Sequence, residues 1–295
     1  MNLKTSFSHK SKEPQSGFLY IVGTPIGNLE DLSSRALNIL KNVSLIACED
    51  TRQTKKIMNK FEFTNTLISF NQHNSLNKIP KMINDLIAGK SLALVSDAGM
   101  PSICDPGEDL VKEAKSKGLN IICIPGPCAA ITALVSSGFP SSKFTFEGFL
   151  PKKKSEREKL LLEISKNEKT TILFESPHRI KRLLFELRES FGGDREIRIF
   201  RELTKKFEEH IGNNVHEIIE YFNDKEVKGE ITVVIKGIDK TNKNATYNKV
   251  ELKKELNDLI YAGLSLSQAS KYLAKKNKLT KGLIYNLHYN SINKK

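Results

Sequence analysis

The sequence predicts an α/β protein: a parallel-sheet domain, a mixed-sheet domain, and a small helical, helix-turn-helix-like domain at the C-terminal end. Three observations predict it. Short continuous apolar runs such as Phe18–Val22 and Leu92–Val95 have the length and two-sided hydrophobicity of strands covered on both faces. Segments of helical periodicity alternate with them, the order that builds a parallel sheet. From Lys240 onward the composition turns lysine-rich and the strands cease.

In chain order, residues 1–16 read as a flexible basic tail. The first strand, Phe18–Val22, runs into Gly23-Thr24-Pro25-Ile26-Gly27-Asn28. A helix with Ala36, Ile39 and Leu40 on one face follows, with Ser33 as its N-cap. Ser44–Cys48 is a second strand ending in Glu49-Asp50-Thr51-Arg52, and Leu67–Phe70 a third. Ile79, Met82, Ile83, Leu86 and Ile87 mark the next helix, stopped by Gly89. The strand Leu92–Val95 enters Ser96-Asp97-Ala98-Gly99-Met100-Pro101. A helix at about 109–117 and a strand at 120–124 then reach Pro125-Gly126-Pro127-Cys128. These elements define an N-terminal α/β domain at 17–127.

A second α/β domain is expected at 128–239. Phe144-Thr145-Phe146 alternates, and Lys152-Lys153-Lys154-Ser155-Glu156-Arg157 precedes a helix. The strand Thr170–Phe174 ends in Glu175-Ser176-Pro177, where Ser176 and Pro177 suit an N-cap and first turn. Ile180, Leu183, Leu184 and Leu187 follow on one helical face, with further strands at 197–200 and 231–235. A linker at 240–249 leads to a basic helical domain, 250–295, with helices near 250–261, 267–276 and 280–289. Gly263 separates the first two, and Asn277-Lys278-Leu279 turns between the last two.

The formal charge is +13, of which residues 240–295 carry +9. That concentration suits either a nucleic-acid contact or a basic dimerisation appendage. Cys48, Cys104, Cys123 and Cys128 form no CxxC pair, so no metal site is expected. The N-terminal residues lack the apolar core of a signal peptide, and no run is long enough to span a membrane. A soluble, cytoplasmic protein is the expectation.

Ligands of open parallel sheets bind at the carboxyl ends of the strands, which draws attention to Asp97. The alternative is a tight turn with a solvated carboxylate. Phosphate cradles need backbone N–H groups, yet this chain places Pro25, Pro101, Pro106, Pro125 and Pro127 at such loops. GxGxxG and GxxxxGK[ST] are absent. Carbonyls, small residues and acids suit a phosphate-free, partly cationic ligand such as S-adenosyl-L-methionine. His178, Arg179, Lys181 and Arg182 are expected in the first turns of a helix, where the macrodipole disfavours cations. A bound anion or a merely solvated face accounts for them.

Six ordered motifs carry a family resemblance: Gly23–Leu29, Cys48–Arg52, Ser96–Pro101, Pro125–Pro127, Phe174–Arg179 and Gly229–Thr232. Together they resemble the small-subunit rRNA methyltransferases I of the tetrapyrrole methylase superfamily, over roughly residues 17–290. Cys128 departs from that pattern, which commonly has serine there. The resemblance implies a two-domain class III methyltransferase, a homodimer using S-adenosyl-L-methionine in an interdomain cleft. It implies 2′-O-methylation of a cytidine ribose in the decoding region of 16S rRNA in the 30S subunit. By that resemblance, Pro25 and Ile26 floor the cofactor site, and Asp97, Ala98, Gly99 and Met100 hold its amino-acid and ribose parts. Cys128 and Ala129 flank the methionine tail; Phe174, Leu203 and Ile231 enclose the adenine, with Thr232 nearby. Asp50, with Arg52 beside it, and Glu175 are the expected catalytic groups, although Asp50 and Arg52 also suit a structural ion pair. Lys152, Lys153, Lys154, His178, Arg179 and Arg182 are the expected RNA contacts. No metal is needed, because the leaving group is neutral. A porphyrin- or corrin-precursor methyltransferase and a non-catalytic ribosome-assembly protein are the competing readings.

Overall fold

The computed structural model describes residues 13–239, 249–277 and 279–289. Two compact units emerge: the chain through Ala133 together with Glu202–Glu208, and Leu134–Arg201 together with the chain from Glu209 onward. The expected tail at 1–16 is described only from Glu13, and the expected linker lies outside the described residues except at Lys249. Glu13 pairs with Arg35 at 2.8 Å, and the Ser16 hydroxyl donates to the Gly89 carbonyl.

The first unit is built on five strands: β1 (Phe18–Val22), β2 (Leu45–Cys48), β3 (Leu67–Ser69), β4 (Leu92–Val95) and β5 (Asn120–Ile124). They lie in the order β3-β2-β4-β1-β5, and every pairing is parallel. Between them run α1 (Ser34–Asn42), α2 (Thr51–Lys60), α3 (Ser75–Ile87) and α4 (Glu108–Ser116), followed by α5 (Ala129–Ser137). Alternate strand residues feed two cores. Tyr20, Val22, Ile46 and Val95 pack with Ile39, Leu40 and Ile57, while Leu19, Leu45, Leu92 and Leu94 pack with Met82, Leu86 and Leu110. The continuous apolar runs therefore mean what they predicted, a sheet with helices on both faces.

Ser33 caps α1 by accepting the Ala36 amide at 3.1 Å, and Gly89 ends α3 at φ +87°. Ile87 departs from its expected place on the apolar face and is 62% exposed. The sequence reading passed over α2, because Thr51–Lys60 carries its buried apolar pair, Ile57 and Met58, only near its end. It also passed over α5, whose nine residues are apolar or small nearly all round.

The second unit holds β6 (Phe144–Phe149), β7 (Thr170–Glu175), β8 (Ile197–Arg201), β9 (Glu209–Ile211) and β10 (Ile231–Ile235) in the order β6-β7-β10-β8-β9. Only β6 and β7 pair in parallel, so the sheet is mixed as expected. Helices α6 (Lys154–Ser165), α7 (Ile180–Phe191) and α8 (Val215–Phe222) share one core with Leu173, Ile199 and Val233. The start of α7 corrects the reading: Pro177–Arg179 form a turn, with the amides of Arg179 and Ile180 both donating to the Ser176 carbonyl. Ser176 and Pro177 do not open the helix, and His178 and Arg179 precede its first turn.

Three C-terminal helices, α9 (Lys249–Tyr261), α10 (Leu266–Asn277) and α11 (Lys281–Tyr289), bury a small core around Leu256, Leu273 and Ile284. Ser265 and Gln268 form a reciprocal capping box at α10. The expected turn after α10 includes Lys278, which lies outside the described residues.

Candidate active site

The parallel sheet sends the loops after β1, β2, β4 and β5 to one edge. Because β1 and β4 are neighbours, their loops can zip together. The amide of Thr24 donates to the Gly99 carbonyl at 2.9 Å, and the Gly99 amide returns the bond to Thr24 at 3.1 Å. The buried Thr24 hydroxyl adds contacts to the carbonyls of Ser96 and Gly99. Gly99 takes φ +83°, a conformation side chains resist.

Glycine is required on the other side of β1 for a different reason. A Cβ on Gly23 would stand 2.6 Å from Met100 Sδ and 2.7 Å from Gly126 Cα. One on Gly126 would meet the Gly23 backbone at 2.8 Å. The two loops are packed backbone against backbone. Gly27 is closed in likewise by Leu203, Thr204 and Lys205, and the Thr204 hydroxyl accepts the Asn28 amide at 3.1 Å. Thus Pro25, Ile26, Asp97, Ala98, Gly99, Met100, Cys128, Ala129 and Leu203 all belong to the first unit. Pro25, Ile26, Gly99 and Leu203 are buried. The Cys128 carbonyl accepts from both the amide and the hydroxyl of Thr132, anchoring the start of α5.

Four acids stand at this edge with different proton affinities. Asp50 caps α2, accepting the Arg52 amide at 2.8 Å, and its carboxylate is chelated by Arg52 Nε and Nη2 at 3.0 and 2.6 Å. The Arg52 hydrogen bonds hold its pKa down at about 2. Asp97 accepts the Asp50 amide at 2.9 Å. Partial burial raises its pKa, and the nearby Asp50 charge adds to the rise despite that hydrogen bond. Burial also raises Glu49, reinforced by Asp97 and Asp50. Asp105 is pushed up to about 6, first by burial and then by Glu49 and Asp97. It lines a cavity of about 300 Å³ with Phe70, Gln72, Ser75 and the start of α4. Sequence reasoning passed over Asp105. It closes the Leu92–Pro106 stretch as an Asp-Pro pair, which reads as a turn.

The remaining expected residues belong to the second unit. Phe174 is half-buried, with its ring 5.0 Å from Phe146 and 5.8 Å from Phe149. It pairs in register with the buried Thr232, as Glu175 does with Ile231. Glu175 is fully covered. Its two oxygens face Arg179 at 2.6 Å and Arg157 at 3.3 Å. Lys152, Lys153, Lys154 and His178 are exposed. Lys153 reaches Glu156 at 3.0 Å, and Arg182 reaches Glu186 at 2.8 Å. Among the described residues no His, Cys, Asp or Glu group is arranged to hold a metal ion. Among them, too, no helix is long and apolar enough to cross a membrane.

The chain matches the profile of the Tetrapyrrole (Corrin/Porphyrin) Methylases over residues 18–219. It is 41% identical to the ribosomal RNA small subunit methyltransferase I of Synechocystis sp., over 92% of this chain and 97% of that one. With the enzyme of that name from Bacillus subtilis it shares 39% identity over 96% and 97%. Among solved structures it resembles a cobalt precorrin-4 methyltransferase, with TM-score 0.58 and 15% identity over 75% of this chain and 95% of that one. The uroporphyrin-III C-methyltransferase of Thermus thermophilus, in complex with S-adenosyl homocysteine, gives TM-score 0.52 at 16% identity, over 73% and 96%. The structural likenesses speak to the fold.

Proposed function

We propose, for a chain that belongs to the tetrapyrrole (corrin/porphyrin) methylase family and within it to the ribosomal RNA small subunit methyltransferases I, an S-adenosyl-L-methionine-dependent methyltransferase acting on small-subunit rRNA. The finer reading is 2′-O-methylation of a cytidine ribose in the decoding region of 16S rRNA, on the 30S subunit in the cytoplasm. The carrying observation is that likeness to the relatives extends over 97% of the chain, well past the methylase profile, which ends at 219. The C-terminal helices therefore belong to what these relatives share. A methyltransferase for a small tetrapyrrole has no evident use for them.

The residues present fit the cofactor. Gly23 and Gly126 keep the loop backbones in contact where any side chain would intrude, and Gly99 supplies a positive φ that side chains resist. Asp97 offers a carboxylate to a cationic amino acid or a ribose, and the prolines withhold the amides a phosphate would need. Asp97, Ala98, Gly99 and Met100 would hold the amino-acid and ribose parts, with Pro25 and Ile26 beneath and Cys128 and Ala129 flanking. By the resemblance, Phe174, Leu203 and Ile231 would take the adenine, with Thr232 nearby. When bound, the sulfonium supplies an electrophilic methyl carbon with a neutral leaving group.

The chain's own task is to position the ribose hydroxyl and to accept its proton. Asp50 is a poor base at about 2; held by Arg52, it presents its amide to Asp97. Glu175 faces two guanidiniums, which suits a structural anion. Asp105, at about 6 on the wall of a cavity, has the affinity a general base needs near neutral pH. We assign it that role. A homodimer suits Ile131 and Val135, one turn apart on α5 and 45% and 72% exposed. Incubation with labelled S-adenosyl-L-methionine and 30S subunits or naked 16S rRNA tests the reading. Label in the RNA is expected, and an unlabelled RNA in both incubations would contradict it.

A further inference from the structure

Arg157 lies in the first turn of α6 and is 2% exposed. Its Nη2 faces Glu175 Oε2 at 3.3 Å and its Nε faces Glu186 Oε2 at 2.5 Å. Glu175 Oε1 accepts Arg179 Nη2 at 2.6 Å and the Ser176 amide at 2.8 Å. Glu186 Oε1 accepts Arg182 Nε at 2.8 Å. Three guanidiniums thus share two carboxylates, leaving one positive charge in excess. The excess sits on the open side: the side chains of Arg179 and Arg182 are 28% and 56% exposed, against 3% for Arg157.

Burying an ion pair brings little net stability, whereas stranding one buried charge is costly. A carboxylate with a single arginine would therefore hold it tightly. Glu175 has two. We propose that Arg157 is a positioning residue, the resident counter-ion of Glu175, whose presence lets Arg179 leave that carboxylate and take a phosphate of the substrate RNA. The inference rests on the RNA methyltransferase reading above. A guanidinium fits a phosphate in a two-pronged geometry, and Arg179 stands in a turn ahead of α7 beside the exposed His178. Lys152 to Lys154 lead into the helix that carries Arg157, so the same brace ties two basic segments to one strand end.

The test is a double-mutant cycle on the full chain, varying 16S rRNA or 30S subunits at saturating S-adenosyl-L-methionine. Arg179→Ala is expected to raise KM for RNA about 5- to 10-fold, with kcat and cofactor affinity within twofold of the unsubstituted chain. In Arg157→Met, Arg179 becomes the one guanidinium on Glu175, and KM should rise by a similar factor. The double variant should be no worse than the larger single effect, and Arg157→Lys should recover KM to within about twofold. Should Arg157→Met fail to fold by circular dichroism, Arg157→Gln carries the same cycle. Multiplying effects, or an unchanged KM in either single variant, overturns the proposal. An unsubstituted protein that methylates neither RNA defeats the underlying reading instead, so the two failures are distinct.

Discussion

The backbone amide of Asp50 donates to the carboxylate of Asp97 at 2.9 Å, joining the ends of β2 and β4. Asp50 is the N-cap of α2, so its amide lies outside the helix ladder, while its side chain caps α2 and chelates Arg52. One acid is thus fixed as scaffold and the other is aimed from it. Replacing Asp97 by Asn keeps an oxygen for the amide and removes the charge. Calorimetric affinity for S-adenosyl-L-methionine should fall about tenfold, roughly 1.4 kcal/mol, with RNA affinity unchanged. A wild-type cofactor affinity in that variant would remove Asp97 from the cofactor site.

The back-to-back glycines give a second prediction. Gly23→Ala forces a methyl group to 2.6 Å from Met100 Sδ and 2.7 Å from the Gly126 backbone. The methionine can shift and the backbone cannot, so destabilisation of about 1–3 kcal/mol is expected, with weakened cofactor binding. Gly282, in the first turn of α11 with open space around it, is the contrast. Gly282→Ala should stabilise by about 0.5–1 kcal/mol. Urea unfolding of both variants checks the pair.

Asp105 predicts two pH effects. Its folded-state pKa, about 6, lies above its ordinary 3.8, so between these values the folded chain binds more protons than the unfolded one. Its contribution therefore favours folding below about pH 4 and is lost as pH rises through 6. Undamped, the offset is worth about 3 kcal/mol; solvent around this partly exposed side chain reduces it to about 1 kcal/mol. Asp105→Asn should accordingly gain about 1 kcal/mol at pH 7 in denaturant unfolding. As general base, Asp105 should also give kcat/KM an acid limb near pH 6. The Asn variant should lose that limb and about 100-fold in rate. A variant at full rate with the limb intact would move the base elsewhere.

The strands of the first unit were legible because burial on both faces leaves an uninterrupted apolar run, as at Phe18–Val22. Ser33 and Gly89 marked helix ends through local chemistry that tertiary context did not alter. The start of α7 was not legible. The Glu175 carboxylate accepts the Ser176 amide and holds Arg179, so a buried ion pair sets the turn where Ser-Pro alone favours a helix start. At the site, the loops around Asp97 could be found from their prolines and glycines. The raised proton affinity of Asp105 could not, since it comes from burial and from Glu49 and Asp97, one of them distant in sequence. The same holds for Arg157, which reads as one more member of a basic run until Glu175 and Glu186 are brought beside it.

The most direct test of the central claim is the chemical position of the methyl group. 16S rRNA from 30S subunits incubated with the protein and labelled S-adenosyl-L-methionine is digested to nucleosides and resolved by mass spectrometry. The account predicts label in 2′-O-methylcytidine, from one position in the decoding region. Label on a nucleobase, or in a nucleoside other than cytidine, would contradict it.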